Sequence, residues 1–446
     1  MIYNIFFEKS ELKNFILKIL NIYKKRVDYL KIYIIQDNSR NVLIRNSNLE
    51  LSETKQNIKI HVDVIKNNKF VRTSFNSLNI SMVKKIIDKA IYATRHVASD
   101  FCNNVYADMI FQNNIKMNLC NINIISLKDI INTTISIENI AFKFDNRIYN
   151  SDGINFYENF SNIIFGNSNF DISSYSTSYY FIMSSVIAQY KKKMYNGSYY
   201  SVSTKFSKLD NIKKIGEMSA KNAIYKISPK KIYTSMSSVI FSNEISYILF
   251  EYLSEAISGK NVYERSTFLK NSLGKRIFPK WLNILEDPHL KYGLCSHIFD
   301  SDGFSTFSKN IVKNGILKTW ILNNYYANKL GLKSTGNSLG SYNWIIYSSL
   351  SKLFSLKHLL LNMYNGILVN ELYGDGFNVV NGDYSIGVSG FLIRRGEILH
   401  PIDEITISGN LKDIFYKIVN MSNDFNRINK IKCGSILLSE VNISGK

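Results

Sequence analysis

Proline is nearly missing from these 446 residues: there are four, and the first is Pro229. A chain so free of helix breakers and rigid turns must end its elements with other residues, and Pro229 in "ISPKKIYTS" becomes a natural boundary, placed near 228. Cysteine is equally scarce. Cys102, Cys120, Cys295 and Cys433 show no CxxC spacing, which excludes a disulfide scaffold and suits a reducing compartment. No apolar run approaches membrane-span length, and the opening "MIYNIFFEKSELKNFILKILNIYKKR" is too broken by charge for a signal peptide. The expectation is a cytoplasmic protein without a membrane role. The six histidines form no HExxH, and no two lie at i, i+4, so a helix-borne zinc site lacks its usual ligands. GxGxxG before a helix and GxxxxGK[ST] are missing too, which argues against a nucleotide-phosphate cradle.

What is present is an ordinary globular balance, 45% hydrophobic and 20% charged, on a chain long enough for two or three domains. The net charge of +20 invites a nucleic-acid reading. The lysines are scattered among many Asn, Ile, Tyr and Phe rather than gathered in a stripe, so a nucleic-acid partner is not expected. "YKKKMYNGSYY" is the one local candidate, with Lys191, Lys192 and Lys193 among tyrosines. Asn196-Gly197 signals a hairpin turn there, which makes the lysines solubilisers of a sheet edge.

The pattern along the chain is α+β: an N-terminal α/β region over 1–105, a middle α+β region over 118–225, and a β-rich, barrel-like antiparallel domain over 229–446. The first region reads as a helix with Leu12, Phe15, Ile16, Ile19 and Tyr23 inward behind a Ser10 cap. Strands follow in "LKIYIIQD", "NVLIRN" and "IKIHVDVI", then a helix in "SMVKKIIDKAIYATRHVASD". The middle holds helices in "SLKDIINTTISIENIA" and "NIKKIGEMSAKNAIYKI" around hairpin material. In the last region Asn314-Gly315 and Arg395-Gly396-Glu397 mark turns, Asn410 caps a helix with Leu411, Ile414, Phe415 and Ile418 inward, and "CGSILLSEVNISG" is a closing strand.

Three stretches carry candidate chemistry. In "EDPHLKYGLCSHIFD", Cys295 and His297 share a face if the segment is a strand, either as a thiol–imidazole pair or as a buried cysteine and a structural histidine; His289 stands beside Glu286 and Asp287. In "ELYGDGFNVVNGDYSIGVSGF", Gly374, Gly376, Gly382, Asp383, Tyr384, Gly387 and Gly390 read as barrel corners or as a groove where an extended peptide adds to a sheet edge. In "FEYLSEAISGK", a helix capped by Ser242 and stopped by Gly259 turns Ile245, Ile248, Leu249, Tyr252 and Ala256 inward. It leaves Glu244, Glu251 and Glu255 in a stripe. Carboxylates without histidines suit zinc poorly, so the stripe by itself reads as a solvated or lysine-paired flank in preference to a metal site.

Residues 259–294 ("GKNVYERSTFLKNSLGKRIFPKWLNILEDPHLKYGL"), 299–338 ("FDSDGFSTFSKNIVKNGILKTWILNNYYANKLGLKSTGNS"), 366–391 and "EITISGNLKDIF" together resemble the TldD/PmbA family of metallopeptidases, in its PmbA (TldE) branch. The resemblance runs in order through most of 230–446 and is less distinctive before it. It implies a cytoplasmic system that degrades or processes unfolded peptides, linked to leader-peptide removal and antidote degradation. The catalytic branch carries His-Glu-x-x-x-His on a helix and a later zinc-binding Cys, and it assembles with the PmbA branch into a hollow heterodimer. By resemblance the zinc helix corresponds to "FEYLSEAISGK", where other residues occupy both histidine positions, around Glu251 and Ala256, and Cys433 matches the ligating Cys. The implied role is a non-catalytic partner that binds no zinc confidently and works with a zinc-bearing TldD-like subunit. The alternatives are a self-sufficient zinc peptidase using Cys433 with a distant His289 or His297, and a basic nucleic-acid binder.

Overall fold

The computed structural model describes residues 8–103, 117–169, 171–350, 354–425 and 429–445. The first lobe holds α1 (Lys9–Tyr23), β1 (Tyr29–Arg45), β2 (Asn48–Lys66), β3 (Lys69–Phe75), α2 (Ile80–Ala93), α3 (Leu127–Phe144), β4 (Ile148–Asn167), β5 (Ile172–Tyr190), β6 (Lys193–Ser203) and α4 (Ile212–Tyr225). Its six strands form one antiparallel sheet, ordered β3-β2-β1-β4-β5-β6. Because β1 pairs with β4 from Lys31 opposite Asn167 to Ile44 opposite Ile154, the N-terminal and middle regions share this sheet.

The strands are longer than the apolar runs suggest. "LKIYIIQD" and "NVLIRN" are one strand, β1, and the polar residues between them stay in the ladder because β2 and β4 pair with them on either side. Two-residue turns at Asn46-Ser47, Asn67-Asn68 and Lys191-Lys192, all with positive φ, supply the hairpins without proline. The expected turn at Asn196-Gly197 is therefore corrected: both residues lie inside β6, opposite Ile187 and Val186. Gly197 is there for clearance, since a Cβ would stand 2.0 Å from the Ala223 backbone nitrogen where α4 crosses the sheet. The lysines do sit exposed at the tip of an edge hairpin.

Helix caps follow local chemistry. Asn79, Ser126 and Asn211 accept from first-turn N–H groups of α2, α3 and α4. Ser10 is not the cap of α1; Glu8 is, in a capping box with Glu11, so Ser10 lies inside the first turn. Apolar residues of α1 and α2 cover one end of the sheet and those of α3 and α4 the other.

The second lobe holds β7 (Ser235–Phe241), α5 (Tyr247–Ala256), α6 (Gly259–Tyr263), β8 (Leu282–Glu286), β9 (Lys309–Lys313), β10 (Ile316–Leu317), α7 (Asn324–Lys329), β11 (Trp344–Ser348), α8 (Leu356–Met363), β12 (Gly366–Tyr373), β13 (Asp383–Arg394), β14 (Glu397–Asn410), α9 (Leu411–Tyr416), β15 (Ile418–Met421), β16 (Ile431–Lys432) and β17 (Ile436–Ser444). Strands β14, β13, β12, β7 and β17 pair in that order, and β14 also pairs with β17, so five strands close into a barrel. Closure removes the open edges that a sheet of this size otherwise exposes. Val239, Phe241, Val369, Ile386 and Ile407 join α5 and the five-stranded β10-β9-β8-β11-β16 sheet in one apolar core. The alternate face, with Ile240, Leu368, Ile393 and Leu437, is covered by Leu359 and Met363 of α8. Asn314-Gly315 and Arg395-Gly396 form the expected turns, and Asn410 caps α9.

The lobes meet through buried contacts. Lys31 Nζ lies 2.5 Å from Asp63 and 2.9 Å from Asp302, and Phe165 packs on Phe299 at 5.8 Å between ring centres. No helix among the described residues is long and apolar enough to cross a membrane.

Candidate functional site

The barrel strand β7 delivers the chain to α5 through a turn. The Ser242 carbonyl accepts from the N–H groups of Ile245 and Ser246, and the helix proper begins at Tyr247. The Ser242 side chain is thus not a helix cap; its hydroxyl is buried without a hydrogen-bond partner, and Ser246 instead donates to the Gly434 carbonyl. Nor does Gly259 stop the helix. The helix ends at Ala256, and Gly259 opens α6, where a Cβ would stand 2.8 Å from Tyr326 Cβ. Leu249, Phe250, Leu253 and Ala256 are sealed in the core, while Ile245 and Ile248 pack at its margin. Glu244 lies in the turn ahead of the helix, so only Glu251 and Glu255 share a helical stripe. Glu255 is exposed, whereas Glu251 is partly buried and burial raises its pKa, opposed by the charge of Lys430.

The first lobe brings Tyr200 near α5, with further aromatic side chains beside it on the same face of the sheet. Alternation along β4 and β5 sends Phe156 and Tyr180 to the helices α3 and α4, and so sends Tyr157, Tyr179 and Phe181 to the other face. Tyr157 and Tyr179 lie 6.1 Å apart and Phe181 and Tyr200 5.8 Å apart, centre to centre. Burial, then the neighbouring Tyr247, Glu244, Tyr179 and Glu251, raise the Tyr200 phenol to about 12. Nothing local in the sequence marks this group, because its residues acquire a common face only through strand register.

The glycine-rich segment is the β12–β13 connection and the start of β13. Gly374 and Gly382 take positive φ in the loop, and the loop folds onto α5: Tyr252 stacks on Phe377 at 4.5 Å and its hydroxyl is 3.5 Å from Asp375. Gly376 and Gly390 are close-approach positions, where a Cβ would stand 1.8 Å from the Ser385 carbonyl oxygen and 2.0 Å from that of Leu368. Asp383 is exposed, Gly387 is in the β13 ladder, and Tyr384 is buried with an unpartnered hydroxyl. Of the seven positions, Gly390 borders a cavity of about 310 Å³ between α4 and barrel strands β12, β13 and β14. That cavity is also lined by Glu244, Glu371 and Asp403.

Cys295 and His297 do meet, with Sγ 3.9 Å from Nε2, but in an irregular segment rather than a strand. They are held there by other groups: the Asn343 side chain accepts from the Cys295 N–H, and His297 Nδ1 lies 2.5 Å from the Tyr175 hydroxyl. Burial lowers His297 to about 4 and raises the Cys295 thiol, so the pair is neutral rather than an ion pair. His289 bonds to Thr306. A histidine depressed in the folded state and ordinary in the unfolded state contributes stability above the unfolded pKa of 6.5, which is lost as pH falls through about 4. We expect chemical denaturation to show a loss on the order of 2–3 kcal/mol from this group between pH 7 and pH 4. His297→Phe should flatten that part of the profile; an unchanged slope would refute the assignment.

Cys433 is fully buried, 3.2 Å from the Gly434 carbonyl oxygen and 3.8 Å from Met421 Sδ, and burial pushes its thiol up to about 12. As a zinc site these residues do not fit. Zinc takes imidazole, thiolate or carboxylate donors in a converging set. Here Glu251 offers only an oxygen, Ala256 offers nothing, and Cys433 holds its proton. Among the described residues no three His, Cys, Asp or Glu side chains converge as a metal centre.

Fold and site together define a two-lobed α+β protein, with a long antiparallel sheet in one lobe and, in the other, a closed barrel whose core holds a helix bearing carboxylates. Solved structures share this architecture. A Bacteroides thetaiotaomicron protein described as a putative modulator of DNA gyrase superposes with a TM-score of 0.90 at 21% identity, over 98% of this chain and 100% of that one. TldE from Thermococcus kodakarensis superposes at 0.80 with 18% identity, over 97% and 100%. The family models "PmbA/TldA metallopeptidase central domain" and "PmbA/TldA metallopeptidase C-terminal domain" match residues 121–226 and 234–445. A metalloprotease PmbA homolog of Buchnera aphidicola from Acyrthosiphon pisum is 39% identical over 98% of both chains. The metalloprotease PmbA of Escherichia coli O157:H7 is 36% identical over 91% of this chain and 90% of its own. The chain belongs to the PmbA/TldD metallopeptidase family, on its PmbA (TldE) branch.

Proposed function

We propose that this chain is the non-catalytic subunit of a cytoplasmic peptidase assembly, paired with a zinc-bearing TldD-like subunit and presenting unfolded peptide to it. The reading is supported by α5, which by resemblance corresponds to the family's zinc helix and carries no histidine, with other residues, around Glu251 and Ala256, at the positions where the catalytic branch has them. In zinc peptidases the metal polarises the scissile carbonyl and lowers the pKa of its water. With a protonated, sealed Cys433 and no converging donor set among the described residues, this chain's own groups support shaping and holding rather than bond cleavage. Tyr200, the aromatic side chains beside it and the nearby Glu244 and Glu251 provide the surface for that task.

The test is elemental analysis of the purified chain after equilibration with excess zinc and desalting, together with cleavage of a disordered peptide. Well under one zinc per chain is expected, with no cleavage alone and chelator-sensitive cleavage once a zinc-bearing family member is added. One tightly held zinc, or chelator-sensitive cleavage by the pure chain, would overturn the proposal.

A further inference from the structure

Strand register lays two rows of side chains across the sheet face turned toward the second lobe. Lys31 stands opposite Asp63 and Asp63 opposite Arg72; two residues along, Tyr29 stands opposite Ile65 and Ile65 opposite Phe70. The residues that alternate with them, Leu30, Ile32, Val62 and Val64, pack under α1 and α2. The two rows floor a cavity of about 530 Å³, within the range of small-molecule sites.

The second lobe closes this cavity with Asp302, Phe304 and Tyr325, and the segment 97–103 runs along one side. That segment is fastened to both lobes. Ser99 Oγ donates to the Asn67 carbonyl at 3.3 Å, while Asp100 accepts from the Tyr325 hydroxyl at 2.9 Å and pairs with Lys329 at 2.8 Å.

The charges on the floor balance, yet they keep open valences. Lys31 Nζ spends two of its three N–H groups on Asp63 and Asp302; burial opposes its charge, but Asp302 and Asp63 raise its pKa, so it stays an ammonium. Arg72 turns Nε and Nη2 to Asp63 at 2.7 and 2.8 Å, with its guanidinium carbon 5.5 Å from the centre of the Phe70 ring. This leaves Nη1 without a partner among the described residues. Asp302 meets Lys31 through Oδ1, and its Oδ2 is likewise unpaired among them.

A bare anion here would face Asp63 and Asp302, and a bare cation would face Lys31 and Arg72. A zwitterion answers both, and Tyr29, Ile65, Phe70, Phe304 and Tyr325 offer walls for an apolar body. We infer that this cavity binds a small zwitterion with an apolar body, a free amino acid or a dipeptide, with its carboxylate toward Lys31 and Arg72 and its ammonium toward Asp302. This goes beyond the subunit reading and stands without it, since no partner enters the argument.

Isothermal titration calorimetry of the full chain tests it, with the dipeptide Phe-Leu, its N-acetylated and C-amidated forms, Ala-Ala and free phenylalanine. Phe-Leu should bind, and blocking either end should weaken it about tenfold. Ala-Ala, without the apolar body, should also bind about tenfold more weakly. Phenylalanine as tight as Phe-Leu would assign the site to amino acids, and weaker binding would assign it to dipeptides. Arg72→Met, which leaves Asp63 paired with Lys31, should remove the penalty of amidation, and Asp302→Asn should remove that of acetylation. Each variant reports on one end by itself, so failure of one to fold leaves the other decisive. Equal binding of free and blocked dipeptides, or no binding, would overturn the inference. Penalties that survive both substitutions would overturn its placement in this cavity. None of these outcomes bears on zinc content or cleavage, so the subunit reading is judged separately.

Discussion

Glu286→Ala is expected to cost about 4 kcal/mol or more, or to prevent accumulation of folded protein, because one fully buried carboxylate serves four donors. Lys309 Nζ lies 2.6 Å from Oε2, and the Asn337 side-chain amide donates to the same oxygen at 3.1 Å. The Tyr342 N–H and the Trp344 indole N–H donate to Oε1 at 2.9 and 3.0 Å. Removing the acceptor strands a buried ammonium along with three neutral donors. The carboxylate joins β8 to β11 and to the loop before β11, and the core behind these strands is the one on which α5 rests, so the loss reaches the candidate site. Urea denaturation of Glu286→Ala beside Glu286→Gln provides the measurement. Gln keeps an acceptor for two of the donors but loses the charge facing Lys309, and should fall between native and Ala. A cost of Glu286→Ala below about 1 kcal/mol would show that the network is dispensable.

The second large effect lies in the first lobe. Arg40 and Glu158 face each other across β1 and β4, with Nη2 2.6 Å from Oε1 and both side chains almost wholly buried. Arg40 also donates to the Ile125 carbonyl, yet its Nε and Nη1 have no hydrogen-bond partner. Glu158→Ala should therefore cost about 3–5 kcal/mol by leaving the guanidinium uncompensated. Desolvation makes the intact pair a weak stabiliser, so the double variant Arg40→Met, Glu158→Leu should lie within about 1 kcal/mol of native. A double variant as unstable as the single one would show that the pair itself stabilises the lobe.

Short-range chemistry made much of the architecture legible. Asn314-Gly315 and Arg395-Gly396 turn where positive φ is easy, Asn410 caps α9, and the apolar periodicity of α1 and α2 marks the faces they bury. The misplacements have one cause: partners distant in sequence. Asn196-Gly197 has turn chemistry, but α4 needs Gly197 beneath Ala223, and Lys191-Lys192 turns in its place. Gly259 has the chemistry of a helix stop, but Tyr326 and Leu322 require its lack of a side chain.

The candidate site divides the same way. The sequence alone determined the family resemblance, the missing histidine motif and the barrel-like C-terminal half, since each is carried by residue identity and local spacing. It also pointed to the glycines at 374–390, though not to which of them border a cavity. Tertiary structure alone decided that Cys433 is a sealed, protonated thiol and that Cys295 and His297 are a neutral pair. It alone brought Glu244, Glu371 and Asp403 from three separate segments to one cavity. Burial and the fields of distant charges set the state of an ionisable group, and both arise only when strands and helices far apart in the chain are packed together.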